Sequence, residues 1–328
     1  MTHHLHKPRH LSIFNSGQNQ PTLVVVTPVF EDTESATLMF AQLAATCGLG
    51  TFVVAVDDGS VRTPLPVAAL KAAGLAGVVL QLRRNVGHQR AIATGLGYVA
   101  DVLGNRAPTV VMDCDGADLP STIAVLLAAL EDADADIVVA QRRSRIETLR
   151  FKSFYLIYKL LFRLLTGRAI SFGNFMAMNP VALNRLSAMS ELATHVAGTV
   201  LLSRLRWKTC PIDRGARYAG ASKMNFVGLA LHGFKGLMIF AEDVLVRVGA
   251  ACAIVASLSL AGVVMAVALK SIDYATPGWF SVALGILLLV FLQTGAITLM
   301  TLMLTGVVRS VSPVAPDYRL LIERVLEA

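Results

Sequence analysis

The apolar positions change period along the chain, and each change marks an element. Thr22 to Thr27 is a β-branched run that reads as a short strand ending at Pro28. Glu34 to Cys47 sets Ala and Leu at helical spacing, and Thr51 to Val56 is again strand-like. Pro66 to Ala73 predicts a short helix before a strand at Val78 to Leu82. His88 to Leu103 predicts a helix, Thr109 to Met112 a strand, and Pro120 to Leu130 a helix opened by proline. Asp136 to Ala140 is a fifth strand. Strands alternating with helices predict an α/β unit whose sheet is mostly parallel and covered on both faces.

The pattern then changes character. In Phe151 to Thr166, Lys152, Lys159 and Arg163 fall on one helical stripe among aromatic and aliphatic residues. A helix of that kind either lies among membrane headgroups or packs on the sheet with its basic stripe in water. Asn225 to Phe240 is a second candidate. Val248 to Leu269 and Trp279 to Val308 are uncharged and mostly apolar. A span needs about 20 such residues, so two transmembrane helices are predicted.

Composition agrees. The chain is 55% hydrophobic and only 16% charged, against about 25% charged in ordinary globular chains. Its net charge of +7 suggests nucleic acid until its placement is considered. Lys223, Lys235 and Arg247 precede the first span, and Arg309, Arg319 and Arg324 follow the second. They flank apolar segments and form no separate basic face, so no nucleic-acid partner is expected. The positive-inside rule puts both termini in the cytoplasm. Cys47, Cys114, Cys210 and Cys252 lack paired spacing, which fits neither a disulfide framework nor a zinc site. Met1 to Gln20, with His3, His4, His6 and His10, has no apolar core for a signal peptide and reads as a disordered tail.

The candidate chemistry sits where strands end. Met112-Asp113-Cys114-Asp115-Gly116-Ala117-Asp118 follows one apolar run, and Asp57-Asp58-Gly59-Ser60 follows another. In an open parallel sheet those ends emerge on one edge, where ligands bind. Asp113 and Asp115 share a side if the backbone stays extended, and two close carboxylates suit a hard divalent cation shared with substrate phosphates. A solvated acidic turn reads equally well from this stretch alone. Arg83 to His88 and the arginines 142, 143 and 145 end two further strands, and guanidinium forks suit phosphate oxygens. Gly95-Leu96-Gly97-Tyr98-Val99-Ala100 imitates a dinucleotide fingerprint but lies inside a predicted helix, so it is set aside.

These residues resemble the polyprenyl-phosphate glycosyltransferases, the dolichol-phosphate mannose synthases and bacterial undecaprenyl-phosphate glucosyltransferases among them. The matching motifs are Thr27 to Asp32 (TPVFED), Val56 to Ser60 (VDDGS) and Arg84 to Ala91 (RNVGHQRA), then Met112 to Pro120 (MDCDGADLP), Gln141 to Arg145 (QRRSR) and Gly220 to Met224 (GASKM). The resemblance implies a GT-A nucleotide-sugar fold, an α/β catalytic domain followed by two transmembrane helices, and inversion at the anomeric carbon. It implies donor contacts at Pro28, Glu31, Asp57, Asp58, Arg84, Asn85, Gly87, Asp113 and Cys114. It also implies Mg2+ or Mn2+ on Asp113 and Asp115. Catalytic roles are expected for Asp115, Arg142, Arg145 and Asn174, and acceptor phosphate contacts for Arg143, Ser222 and Lys223. Asn174 stands where the family often has aspartate, and Gly116 to Pro120 replaces the usual LQDPP.

The expected partners are a nucleotide-sugar donor, a polyprenyl phosphate acceptor and the lipid bilayer, with a homo-oligomer left open. The expected place is a bacterial inner membrane, catalytic domain to the cytoplasm. The expected division is a tail over 1–20, a catalytic domain over 21–224 and a juxtamembrane segment over 225–247. Spans at 248–269 and 279–308 and a cytoplasmic tail over 309–328 follow. Two other readings remain: a processive polysaccharide synthase, though Ser203-Arg204-Leu205-Arg206-Trp207 lacks the glutamine of QxxRW, and a catalytically silent membrane binding protein.

Overall fold

The computed structural model describes residues 20–104, 107–132, 134–142, 149–169, 172–218, 226–274, 278–310 and 315–328. Arg143, Arg145, Ser222, Lys223 and residues 1–19 of the expected tail lie outside the described residues, as does the side chain of Arg142. The chain divides into two compact units. One comprises Met1–Glu147, Ile170–Gly236 and Pro313–Ala328, the other Thr148–Ala169 and Leu237–Ser312.

In the first unit the β-branched runs become strands β1 (Leu23–Val29), β2 (Thr51–Asp57), β3 (Ala76–Leu82), β4 (Thr109–Val111) and β5 (Ile137–Arg142). Between them run helices α1 (Thr33–Cys47), α2 (Ala68–Ala72), α3 (His88–Tyr98) and α4 (Ile123–Asp132). Every residue of β1 and β2 is buried, as a parallel sheet with both faces covered requires. Val25, Val53 and Ala55 pack with Met39, Phe40 and Leu43 of α1 on one face. On the other face Val26 and Val56 meet α3, and they come so close that a Cβ on Gly95 would lie 2.5 Å from Val26 Cγ1.

Three strands escape the sequence pattern: β6 (Met176–Met178), β7 (Trp207–Ile212) and β8 (Ile322–Glu327). The sheet order is β7-β5-β6-β4-β1-β2-β3-β8. β6 is antiparallel to both β4 and β5, so the sheet is mixed at its middle as well as at one edge. Its three residues are too few to show a period. Beyond α5 (Leu149–Thr166), which belongs to the second unit, come the short helices α6 (Pro180–Ser187) and α7 (Val196–Leu202). Arg206 anchors the start of β5 through Asp134 and Asp136. Its hydrogen bonds hold the Asp136 carboxyl down at about 2.

The segment expected as a cytoplasmic tail over 309–328 supplies an edge strand instead. β8 runs antiparallel to β3, pairing Leu326 with Val79 and Arg324 with Gln81. Ahead of it, Leu321 O accepts from Arg83 N at 2.9 Å. The Tyr318 ring lies against Gly97, where a Cβ would come within 2.7 Å of it. Tyr318 also donates its hydroxyl to Asp101 Oδ2 at 2.9 Å, beside the Arg319 guanidinium at 2.7 Å. Asp101 is presented by the π-helical turn Val99–Leu103 that prolongs α3. The two glycines of the false fingerprint are therefore packing sites on opposite sides of one helix, one for the sheet and one for Tyr318.

Helix α8 (Phe226–Met238) precedes the second unit's α9 (Ala241–Ser271) and α10 (Trp279–Ser310). The last two are long and apolar enough to cross a membrane, with mean hydropathies of 2.5 and 2.3. They pack through small residues. Gly249 lies against Thr301 and Gly262 against Leu287, with Ala256, Ser259 and Ala266 buried. In α5, Phe162 is buried edge-on against Phe240, while Leu156, Leu160 and Leu164 form an exposed apolar stripe.

The Tyr318–Gly97 contact yields a test of tail docking. Gly97→Ala should lower the melting temperature, by an overpacking cost of about 1–3 kcal/mol. Tyr318→Ala in the same chain should recover part of that loss, because it empties the space the new methyl needs. Purely additive effects on the melting temperature would show that the two residues do not touch in solution.

Candidate active site

The end of β2 is built around carboxylates that face backbone rather than solvent. Asp57 accepts from Ser60 N at 3.0 Å and Leu65 N at 2.9 Å. Asp58 accepts from Val86 N at 2.7 Å and Gly87 N at 3.0 Å. Both are almost fully buried, and burial raises the Asp58 pKa against those two hydrogen bonds. Glu31 holds a third loop, with Oε1 taking Val61 N and Arg62 N and Oε2 taking Thr63 N. These bonds, that of Arg62 foremost, hold the Glu31 carboxyl down at about 2. Glu31 itself has a positive φ of 47°, an uncommon conformation for a residue with a Cβ.

Glu31, Asp57 and Asp58 thus each hold a loop in place. Gly59, at φ 70°, packs so closely on the Arg84–Asn85 backbone that a Cβ would lie 2.4 Å from Arg84 C. Arg84 and Asn85 keep exposed side chains, Gly87 (φ 91°) caps α3, and Pro28 is buried in β1. Through Asp58 the loop after β3 is fixed, and with it the first residue of α3, His88.

His88 is a site residue that the sequence analysis did not single out, although it sits inside the RNVGHQRA motif. Its Nε2 lies 3.2 Å from Asp113 Oδ1 and 3.2 Å from Asn174 Nδ2. Burial lowers its pKa, but Asp113, Asp118 and Asp115 outweigh burial and the net shift is upward. Asn174 thus meets Asp113 through His88.

The stretch after β4 does not stay extended. Cys114 and Asp115 form a turn, closed by Asp118 Oδ2 accepting from Asp113 N at 3.0 Å. The turn sends the Cys114 side chain into the core, where burial raises its thiol pKa. Asp115 is half-enclosed, with one oxygen on Ala117 N at 2.9 Å and the other 2.7 Å from Arg217. Gly215 N and Tyr218 N donate to Ala117 O and Asp115 O, so segment 213–218 lies along the turn. A cleft lined by Asp113, Asp118, Asn174, Asp213 and Arg214 opens beside it. Only the nearby GASKM motif hinted at this segment. Arg142 ends β5 in register with Ile212.

A divalent cation fits this donor set. Mg2+ takes one or two carboxylates and completes its shell with water and phosphate oxygens. Asp113 and Asp115 offer such a pair. Among the described residues no group of three or more His, Cys, Asp or Glu is arranged to hold an ion, so ligand phosphates and water would fill the remaining positions.

Comparison with known proteins follows this geometry. Residues 24–192 match the family described as Glycosyl transferase family 2. An undecaprenyl-phosphate 4-deoxy-4-formamido-L-arabinose transferase of Salmonella paratyphi A is 27% identical over 215 residues, 62% of this chain and 63% of that protein. The match thus spans under two thirds of that relative's length. The uncharacterized glycosyltransferase YkoT of Bacillus subtilis is 27% identical over 236 residues, 68% of each chain. Among solved structures, glucosyl-3-phosphoglycerate synthase from Mycobacterium tuberculosis, in complex with Mg2+ and uridine diphosphate, aligns with a TM-score of 0.49 at 13% identity. That alignment covers 68% of this chain and 79% of the other.

The loop held by Glu31 has a predictable pH response. Its folded pKa near 2 lies below its ordinary 4.5, so its contribution is present above about pH 4.5 and lost as pH falls toward 2. Amide exchange at Val61, Arg62 and Thr63 should therefore stay protected, relative to intrinsic rates, at pH 4.5 in the native chain. Glu31→Gln should lose that protection already at neutral pH.

Proposed function

Because the chain belongs to glycosyl transferase family 2, we propose that it moves a sugar from a nucleotide-sugar donor to a polyprenyl phosphate at a membrane surface. Its mixed sheet is of the GT-A class. The observation that carries the proposal is the meeting of Asp113, Asp115, His88, Asn174 and Arg217 at one edge of that sheet. They occur in a chain that also has two helices apolar enough to span a bilayer. The likeness to the Salmonella relative, named as an undecaprenyl-phosphate sugar transferase, supports the lipid acceptor.

The reaction forms a bond between an acceptor phosphate oxygen and the anomeric carbon. The bond from that carbon to the nucleoside diphosphate breaks, and its electron pair leaves with the diphosphate. A lipid phosphate has a second pKa near ~6, so its oxygen is already anionic at neutral pH. It needs placement more than deprotonation, and Asn174, which has no carboxylate to accept a proton, is compatible with that. Charge developing on the departing diphosphate is what a cation held by Asp113 and Asp115 would neutralise. Arg142, Arg143 and Arg145, with Ser222 and Lys223, are assigned to the phosphates by resemblance, and attack from the face opposite the leaving group inverts the carbon.

Three features support the membrane setting. Leu156, Leu160 and Leu164 of α5 are exposed beside the exposed Lys159 and Arg163, an apolar stripe with a basic flank. In α8, Leu231, Phe234 and Met238 are exposed at helical spacing. Finally, β8 belongs to the same sheet as β1 to β7 although α9 and α10 lie between them in sequence. Two crossings return the chain to the side it left, and the basic residues flanking the spans favour the cytoplasm.

Membranes carrying the protein, incubated with a panel of labelled sugar nucleotides, should yield lipid-extractable label with at least one donor. Asp115→Asn should reduce it by ~10²-fold or more. Full transfer by that variant in the presence of a chelator would exclude a cation on Asp115. Making Lys159 and Arg163 acidic should weaken transfer to a long-chain lipid phosphate more than to a short soluble analogue. A reporter fused after Ala328 should read cytoplasmic, and a periplasmic reading would reject the topology.

A further inference from the structure

Asp113 and Asp115 each already have a cationic or polar neighbour. For Asp113 it is His88, 3.2 Å away. For Asp115 it is Arg217 at 2.7 Å, with the guanidinium and carboxylate side chains only 27% and 16% exposed. An ion pair so enclosed is screened far less than one on the surface. It also occupies an oxygen that a divalent cation needs.

The backbone around Arg217 is fixed. Gly215 N bonds to Ala117 O at 3.1 Å, Tyr218 N to Asp115 O at 3.0 Å, and the Tyr218 hydroxyl to Gln42 Oε1 at 2.6 Å. A methyl on Gly215 would strike Gly116 O at 2.2 Å, so the segment packs closely against the turn. The guanidinium itself is incompletely satisfied, because its Nε is buried with no hydrogen-bond partner among the described residues. A buried donor left unpaired favours any arrangement that supplies an acceptor. A diphosphate supplies several, in the geometry a guanidinium fork prefers.

We propose that Arg217 is a resident counter-cation for Asp115 that a diphosphate draws away, so that divalent cation and donor diphosphate load together. The inference rests on the donor site described above and deepens it. With no diphosphate present, a divalent cation competes with Arg217 for Asp115 and binds weakly. With a diphosphate present, the guanidinium turns to phosphate, and the released Asp115 Oδ2 would be free to hold the cation. Only a side chain has to move. The added cation and diphosphate carry opposite charges of similar size, so loading them together changes the net charge of the site little.

The test is calorimetric titration of Mn2+ into the full chain in detergent, without nucleotide and then with saturating UDP or GDP in separate runs. Without nucleotide, Arg217→Gln should bind Mn2+ about fivefold or more tightly than the native chain, the scale of one competing ion pair. Arg217→Lys, which keeps the charge, should fall between the two. In an Asp115→Asn background the advantage should vanish. The nucleotide that binds should raise Mn2+ affinity in the native chain more than in Arg217→Gln. Equal Mn2+ affinity for native and Arg217→Gln proteins, or equal enhancement by nucleotide, would overturn the proposal. Thermal melts of each variant confirm that it is folded, and Arg217→Lys alone still decides the outcome if Arg217→Gln is not. Failure to find lipid-linked label with any sugar nucleotide would reject the transferase reading while leaving this Mn2+ result standing.

Discussion

The Asp58 carboxylate holds the site together. It is almost fully buried at the end of β2 and takes its two hydrogen bonds from Val86 and Gly87. A buried carboxylate without partners is costly, so the loop after β3 is bound to follow it. That loop leads into α3, whose first residue is His88, and His88 reaches Asp113 and Asn174. One acid on one strand thus sets the position of a residue on a helix and, through it, of a carboxylate two strands away in the sheet. Asp57 and Glu31 do the same for neighbouring loops, and Glu31 accepts a left-handed backbone to do so.

The electrostatics of the carboxylate turn follow from this rigidity. Asp113, Asp115 and Asp118 all act on His88, and Asp118 is committed to closing the turn. Of the other two acids, Asp113 lies beside the His88 imidazole and Asp115 against the Arg217 guanidinium.

The C-terminal strand links catalytic sheet and apolar helices by connectivity alone. β3 would otherwise be an edge with open hydrogen-bonding groups, a liability in any sheet. β8 covers it, and Tyr318 seats on α3 at Gly97. Because residues on both sides of the α9–α10 pair belong to one sheet, the number of crossings between them has to be even.

The sequence by itself determined the alternation of strands and helices in the first half of the chain, the strand ends bearing Asp57, Asp58, Asp113 and Asp115, and the two apolar helices. Each is a local property, a period or a run, readable without knowing what lies opposite. What only the tertiary structure decided involves residues far apart in the chain. Three-residue β6 exists because β4 and β5 leave a gap between them, and β8 because β3 has a free edge. Asp57 and Asp58, both buried, take loop amides as partners, and Glu31 takes three more from residues 61–63. Cys114 goes to the core because a turn follows β4, one of the two readings that the stretch left open. Arg217 finds Asp115 across about a hundred residues, by the laying of one loop along another. Side-chain direction and long-range pairing are set by contacts, and contacts have no period along the chain.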